Sequence, residues 1–256
     1  MRALVTRPAR EAQQWVRELQ QRRVEAAALP LIQIGPAPDA SAVQGAWTQL
    51  EQYDAVMFVS GNAVDHFFAL KLPTDASWPA ATRAWAPGPG TRDALQRAGV
   101  VPEAIDQPGE QAEQFDSQAL WAQVQTQLRA GQRMLVVRGG DASGQGSGRN
   151  WLAMQLAGRG VAVDTVVAYC RKPPTWSPAQ LALAREGAGD RSIWLFSSSE
   201  AIANLRTLLP AQDWRAARAV ATHPRIAQAA SDAGFGVVCL SRPTLPEVVA
   251  SIESIR

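Results

Sequence analysis

The sequence predicts an α/β protein: two similar parallel-sheet domains of flavodoxin or Rossmann-like design, joined by a two-stranded linker. Three observations carry this. Short apolar runs alternate with longer helical patterns along all 256 residues. Segments of the first half recur in the second. Prolines cluster at two places where the chain would pass between domains.

The alternation gives the class. Ala3–Val5, Ala55–Val59, Ala84–Ala86, Met134–Val137, Val161–Ala168, Ser192–Phe196, Ala219–Ala221 and Val237–Leu240 read as strands. Helical patterns follow them at Glu11–Gln21, Ala63–Leu70, Thr91–Ala98, Ser117–Leu128, Arg149–Ala157, Glu200–Leu209, Arg225–Ala233 and Leu245–Ile255. Strand-then-helix order places helices on the faces of parallel sheets.

The repeat gives the duplication. Leu4-Val5-Thr6-Arg7 resembles Leu135-Val136-Val137-Arg138. Phe58–Val64 resembles Leu195–Ile202, and Arg83–Ala86 resembles Arg218–Ala221. The offsets stay between about 131 and about 137, in the same order along the chain. The prolines give the crossings. Pro30, Pro36 and Pro38 bracket Leu31–Gly35, and Pro173, Pro174 and Pro178 follow Tyr169–Lys172. Proline holds itself and its predecessor extended, so linkers are expected at about 31–38 and about 169–176. Residues 1–34 would rejoin 174–256 in a discontinuous domain, with 37–170 forming the other. An active-site cleft between them would suit a large, flexible ligand.

Bulk properties narrow the function. Apolar residues make up 46% and charged residues 19%, a globular balance. A net charge of +2 does not call for nucleic acid. No apolar stretch reaches membrane-helix length and no signal pattern opens the chain, so no membrane association and a cytoplasmic location are expected. Cys170 and Cys239, the two cysteines, sit in apolar runs and read as buried, inert thiols. Two histidines without a Cys/His cluster argue against a metal site. No Gly-x-Ser-x-Gly elbow is present.

Candidate chemistry lies where strands turn into helices, because free N–H groups there attract anions. Thr6-Arg7-Pro8 puts a guanidinium at a strand end, either as a two-point carboxylate grip or as a surface arginine beside a helix start. Ser60-Gly61-Asn62-Ala63 and its counterpart Ser197-Ser198-Ser199 read as helix caps or as paired ligand turns. Gly88 and Gly90 flank Pro89 ahead of Thr91, a turn that lets the backbone approach a ligand. Arg138-Gly139-Gly140 opens a loose glycine-rich loop reaching Gly148-Arg149, which lacks both the dinucleotide and the P-loop spacing. Tyr169 ends a long strand with Arg171 on the same face, where a phenol packs or donates a proton.

Taken together, Val5-Thr6-Arg7-Pro8, Phe58–Val64, Gly88-Pro89-Gly90-Thr91, Arg138-Gly139, Gly148-Arg149-x-x-Leu152, Val166-x-x-Tyr169-x-Arg171, Phe196-Ser197-Ser198 and Ala221–Ile226 resemble the uroporphyrinogen-III synthase family. The resemblance implies an enzyme that closes the linear tetrapyrrole hydroxymethylbilane with inversion of its last ring and loss of water. It implies no metal and no organic cofactor. It makes Tyr169 a proton donor near the leaving group, with no single side chain essential. Thr91 matches a threonine of the family's cleft. Where many relatives carry a late threonine this chain has His223-Pro224, which leaves that contact to His223 or Thr222. A monomer is expected, in transient contact with hydroxymethylbilane synthase, the source of the substrate. Two rivals remain: a two-lobed module binding a small anion, and a nucleotide- or flavin-dependent enzyme, which lacks its fingerprint.

Overall fold

In a computed structural model, the chain divides into two compact units, residues 1–33 with 172–256, and residues 34–171. The structure describes residues 2–72, 77–109, 112, 114–141 and 151–255.

The first unit opens with β1 (Ala3–Val5), α1 (Ala9–Gln21) and β2 (Ala26–Ala28). The second contains β3 (Gln33–Gly35), α2 (Ala40–Thr48), β4 (Ala55–Phe58), α3 (Gly61–Ala69), β5 (Arg83–Trp85), α4 (Pro89–Arg97), β6 (Ile105–Asp106), α5 (Ser117–Val124), β7 (Arg133–Gly140), α6 (Trp151–Gly158) and β8 (Ala162–Lys172). The chain then completes the first unit with α7 (Pro178–Glu186), β9 (Ile193–Phe196), α8 (Ser199–Leu208), β10 (Arg218–Ala221), α9 (Pro224–Asp232), β11 (Val237–Leu240) and α10 (Leu245–Ser254).

In the first unit the sheet runs β2-β1-β9-β10-β11, with every ladder parallel. The second unit's sheet runs β3-β8-β7-β4-β5-β6, and its four ladders from β8 to β6 are parallel. The central strands are apolar throughout because helices cover both faces. Ala55–Phe58 and Ile193–Phe196 are buried at every position. Each large side chain so buried contributes roughly 1.5–3 kcal/mol.

The helices follow the same logic. On α1, Ala12, Trp15, Val16 and Leu19 recur at helical spacing and pack on the first unit's core. The helix ends with Arg23 in the left-handed region (φ 62°), its N–H on the Gln20 carbonyl, while the Val24 N–H reaches the Leu19 carbonyl. In the second unit Trp47 stacks on Phe67 at 4.7 Å, and Phe58 meets Phe67 edge-on at 5.5 Å. The tryptophans of this region are packing residues.

Several boundaries differ from expectation, each for a local reason. Leu31–Gly35, read as linker, contains β3. The prolines on either side restrain the chain to extended geometry, and extended geometry is what a strand needs. Pro178 is not linker: it occupies the first turn of α7, whose Ser177 and Gln180 form a capping box. Arg138–Gly140 is not loop but the end of β7, paired to β8, which itself continues to Lys172. Cys170 and Cys239 are only half-buried, since alternation on β8 and the edge position of β11 leave them on partly covered faces.

Candidate active site

In open parallel sheets ligands sit beyond the carboxyl ends of the strands, at the point where strand order reverses direction. Both units have such a point. In the first it lies between β1 and β9, in the second between β4 and β7.

At the first unit's switch point, Val5, Arg7, Trp15, Leu195, Phe196, Ser197, Val220, Thr222 and Val248 line a small open pocket. Its walls are mostly apolar, with one guanidinium and two hydroxyl residues. Arg7 is held in place: its Nη1 donates to Glu11 Oε2 at 3.1 Å, and its guanidinium lies 4.6 Å from the centre of the Trp15 ring. Thr6 does not join the lining. It is 1% exposed, and its hydroxyl donates to the Leu195 carbonyl at 2.6 Å, tying the end of β1 to β9. Ser198 caps α8 by accepting from the Glu200 N–H, while Ser199 is the first residue of that helix. His223 caps α9, its Nδ1 accepting from the Arg225 N–H at 3.1 Å. That hydrogen bond requires an unprotonated Nδ1.

At the second unit's switch point the groups are Ser60, Arg138, Gly139, Tyr169 and Arg171. A bulge sets their arrangement. Arg138 pairs with Val167 but Gly139 pairs with Tyr169, so Ala168 is an extra residue on β8. The slip turns Ala168 and Tyr169 both inward, and both are buried. It also lays the Tyr169 ring against Gly139: a Cβ added there would stand 2.6 Å from the phenol Cζ. The Tyr169 hydroxyl is 3.0 Å from Ser60 Oγ. Ser60 also caps α3, its Oγ accepting from the Ala63 N–H at 3.2 Å. The His66 ring, on the same helix, stacks near Tyr169 with centroids 5.6 Å apart at 28°.

Arg138 is pushed below the usual guanidinium range by burial and by the like charge of Arg171, while Tyr169 acts in the opposite sense. It stays charged at physiological pH, because an arginine starts so high. Arg138, Arg171 and the buried phenol of Tyr169 are thus near enough to act on one another.

The neighbouring turn is built from glycines. Gly88 caps α4 with Pro89 in its first turn. Gly61 lies so close to the Gly90 carbonyl that an added Cβ would be 3.3 Å from it, which brings the starts of α3 and α4 together. Thr91 is 6% exposed inside the first turn of α4. Ala63, in the first turn of α3, is fully buried, and its N–H is taken by the Ser60 cap. Asn62 occupies the first turn of α3. Arg149 lies outside the described residues.

The structure therefore gathers Ser60, Arg138, Gly139, Tyr169 and Arg171 at one strand end, and Arg7, Ser197 and Thr222 at another. Sequence reasoning missed Glu11, Trp15 and His66. The first was detectable as an Arg7-to-Glu11 pair at i,i+4. Trp15 follows from the spacing of α1, but nothing in the sequence places His66 beside Tyr169.

A family model described as HEM4, uroporphyrinogen-III synthase HemD, matches residues 13–250. The chain belongs to the uroporphyrinogen-III synthase family. That makes it a lyase of tetrapyrrole biosynthesis, of the cyclising hydro-lyase type. The fold agrees. Uroporphyrinogen-III synthetase from Helicobacter pylori 26695 aligns over 100% of both chains at 15% identity with a TM-score of 0.61. A mutant uroporphyrinogen III synthase from the extremely thermophilic bacterium Thermus thermophilus aligns over 100% of this chain and 98% of its own, at 16% identity with a TM-score of 0.57. No helix among the described residues of this synthase-family chain is long and apolar enough to cross a membrane.

Proposed function

We propose that this chain carries out its family's reaction, the closure of hydroxymethylbilane to uroporphyrinogen III, with Tyr169 as the proton donor. The carrying observation is the position of Tyr169, whose oxygen is fixed 3.0 Å from Ser60 at the reversal point of the second unit's sheet.

Each residue then has a task. The Tyr169 phenol gives its proton to the hydroxyl of the terminal hydroxymethyl group, which leaves as water. The resulting azafulvene cation is attacked by the already substituted carbon of the last pyrrole ring, a spiro intermediate forms, and reopening and closure invert that ring. The proton lost at the closing carbon restores the phenol, so the net change is one water released. Tyr169 is 3% exposed, so the leaving hydroxyl must come to the phenol at the strand end. Positioning supplies the selectivity, because the unassisted bilane closes without inversion.

Carboxylate arms of the substrate suit the remaining groups. Arg138 and Arg171 offer charge to one arm. In the other unit, Arg7 with Ser197 and Thr222 offers a guanidinium and hydroxyls that suit a carboxylate arm, whose methylenes would fit the apolar walls of that pocket. Thr91, the turn at Gly61–Ala63 and His223 complete the proposed binding set, and Arg149 is retained on its motif alone. The protein is proposed to act as a cytoplasmic monomer, without cofactor, on bilane released by hydroxymethylbilane synthase.

The test is isomer analysis. Hydroxymethylbilane generated in situ, with and without the protein, is oxidised after reaction and the uroporphyrins are separated. A shift from the type I to the type III isomer is expected. Type I alone, from protein with a cooperative unfolding transition, would overturn the reading and favour a non-enzymatic anion-binding module.

A further inference from the structure

A general acid works only if its oxygen is held where the departing group arrives, and a phenol ring on a strand has freedom about two torsions. Three neighbours remove that freedom in Tyr169. Gly139 has no side chain, so the ring lies directly on its backbone: an added Cβ would be 2.6 Å from Cζ, 2.8 Å from Cε2 and 2.9 Å from the hydroxyl. Ser60 Oγ stands 3.0 Å from the phenol oxygen. The His66 ring lies near-parallel, with centroids 5.6 Å apart. Ser60 and His66 both belong to α3, one as its N-terminal cap and one in its last turn.

We propose that Ser60 and His66 are positioning residues for Tyr169, Ser60 through a hydrogen bond to the phenol oxygen and His66 through its stacked ring. The inference rests on the Tyr169 role proposed above. Ser60 Oγ already accepts from the Ala63 N–H. In the proposed arrangement the Ser60 hydroxyl donates to the phenol oxygen, and the phenol proton is the one handed to the departing hydroxyl. Ser60 thus acts on the reaction through Tyr169 and not as a substrate ligand, and His66 enters a role that no motif assigns.

Two measurements test this. The first is a set of cycles in which Ser60→Ala, Ser60→Thr, His66→Ala and His66→Phe are each made with Tyr169 intact and with Tyr169→Phe. Type III formation is followed for kcat and KM, well below each variant's unfolding midpoint. Ser60→Ala and His66→Ala should each lower kcat, by up to about 100-fold for a catalytic group displaced by about 1 Å, with KM unchanged. Ser60→Thr and His66→Phe, which keep the hydroxyl and the flat ring, should recover most of it. In the Tyr169→Phe background the alanine changes should cost nothing further in kcat. Equal losses in both backgrounds would make the two residues merely structural and overturn the proposal.

The second measurement needs no activity. The chain has two tyrosines, so protein labelled at tyrosine 13Cζ gives two signals, assigned with Tyr53→Phe. Ser60→Ala should move the Tyr169 signal and leave that of Tyr53 in place. An unmoved Tyr169 signal would sink the hydrogen bond, and the proposal with it. A Tyr169→Phe enzyme of unchanged kcat would end both the proton-donor role and its positioning, while a type III product would keep the family's reaction standing.

Discussion

Gly139 shows how much one residue can decide. At the bulge of β7 and β8 its missing side chain is the seat of the Tyr169 ring, so glycine is needed there for close approach and not for backbone freedom. Gly139→Ala should therefore act on the tyrosine. A methyl group 2.6 Å from Cζ forces the ring away, and the Ser60–Tyr169 hydrogen bond breaks. Overpacking of this kind costs about 1–3 kcal/mol of stability. Urea unfolding would register that loss, and kcat for type III formation should fall as far as in Tyr169→Phe. A kcat equal to wild type would show that the ring does not depend on its seat.

At the scale of elements, hydrogen bonds across strands add a pH dependence that apolar burial lacks. Tyr53, at the entry to β4, donates from its hydroxyl to Asp164 of β8 at 2.9 Å, and Arg133 of β7 bonds the same carboxylate at 2.9 Å. The Arg133 guanidinium also lies 4.7 Å from the Tyr53 ring centre. Burial, then the bond to Asp164, push the Tyr53 pKa up to about 12. A raised folded pKa means that the folded protein holds the proton more tightly than the unfolded chain does. The stabilisation is complete below about pH 10 and is lost as pH climbs from there toward about 12. Urea midpoints of the wild type should fall across that window more steeply than those of Tyr53→Phe. Below it, the variant should be less stable by about 1 kcal/mol, the usual loss for one hydrogen bond. Parallel slopes for the two proteins would remove Tyr53 as the titrating group.

For the whole molecule, the repeat has a geometric meaning. Strands β2-β1-β9-β10-β11 of one unit correspond in order to β8-β7-β4-β5-β6 of the other. The similar segments fall on corresponding strands: Leu4–Arg7 with Leu135–Arg138, Phe58–Val64 with Leu195–Ile202, and Arg83–Ala86 with Arg218–Ala221. Arg7 and Arg138 thus hold equivalent places, as do the serines after β4 and β9. The second unit is one continuous stretch, whereas the first is assembled from both ends of the chain. Residues 34–171 expressed alone should fold and unfold in urea in one cooperative step, because their sheet draws on no strand outside them apart from the first residue of β3 and the last of β8. Residues 1–33 alone should show no transition, since β1 lacks its partner β9. Absence of a transition in 34–171 would mean that the unit depends on the rest of the chain.

Local pattern accounts for one part of this protein. Apolar runs of strand length, helical spacing and turn residues made the α/β class, the parallel sheets and the family resemblance readable without coordinates. Some elements escaped: β2, β3 and β6 are two or three residues of alanine or mixed polarity, unlike the equally short Ala3–Val5, α2 was not read as a helix, and α7 hid behind prolines that signal a helix start as well as a linker. The site was half legible. Arg7, Ser60, Arg138, Gly139, Tyr169 and Arg171 stood out by type and by their places at the ends of apolar runs. What each one touches was set by packing between segments distant in the chain. Thr6 and Ser60 spend their hydroxyls on protein partners, and His66 reaches Tyr169 although it lies far from it in sequence. At Tyr169 the cause is a register slip of one residue at Arg138/Gly139. Such a slip leaves no trace in composition or spacing, yet it turns a side chain from one face of a sheet to the other.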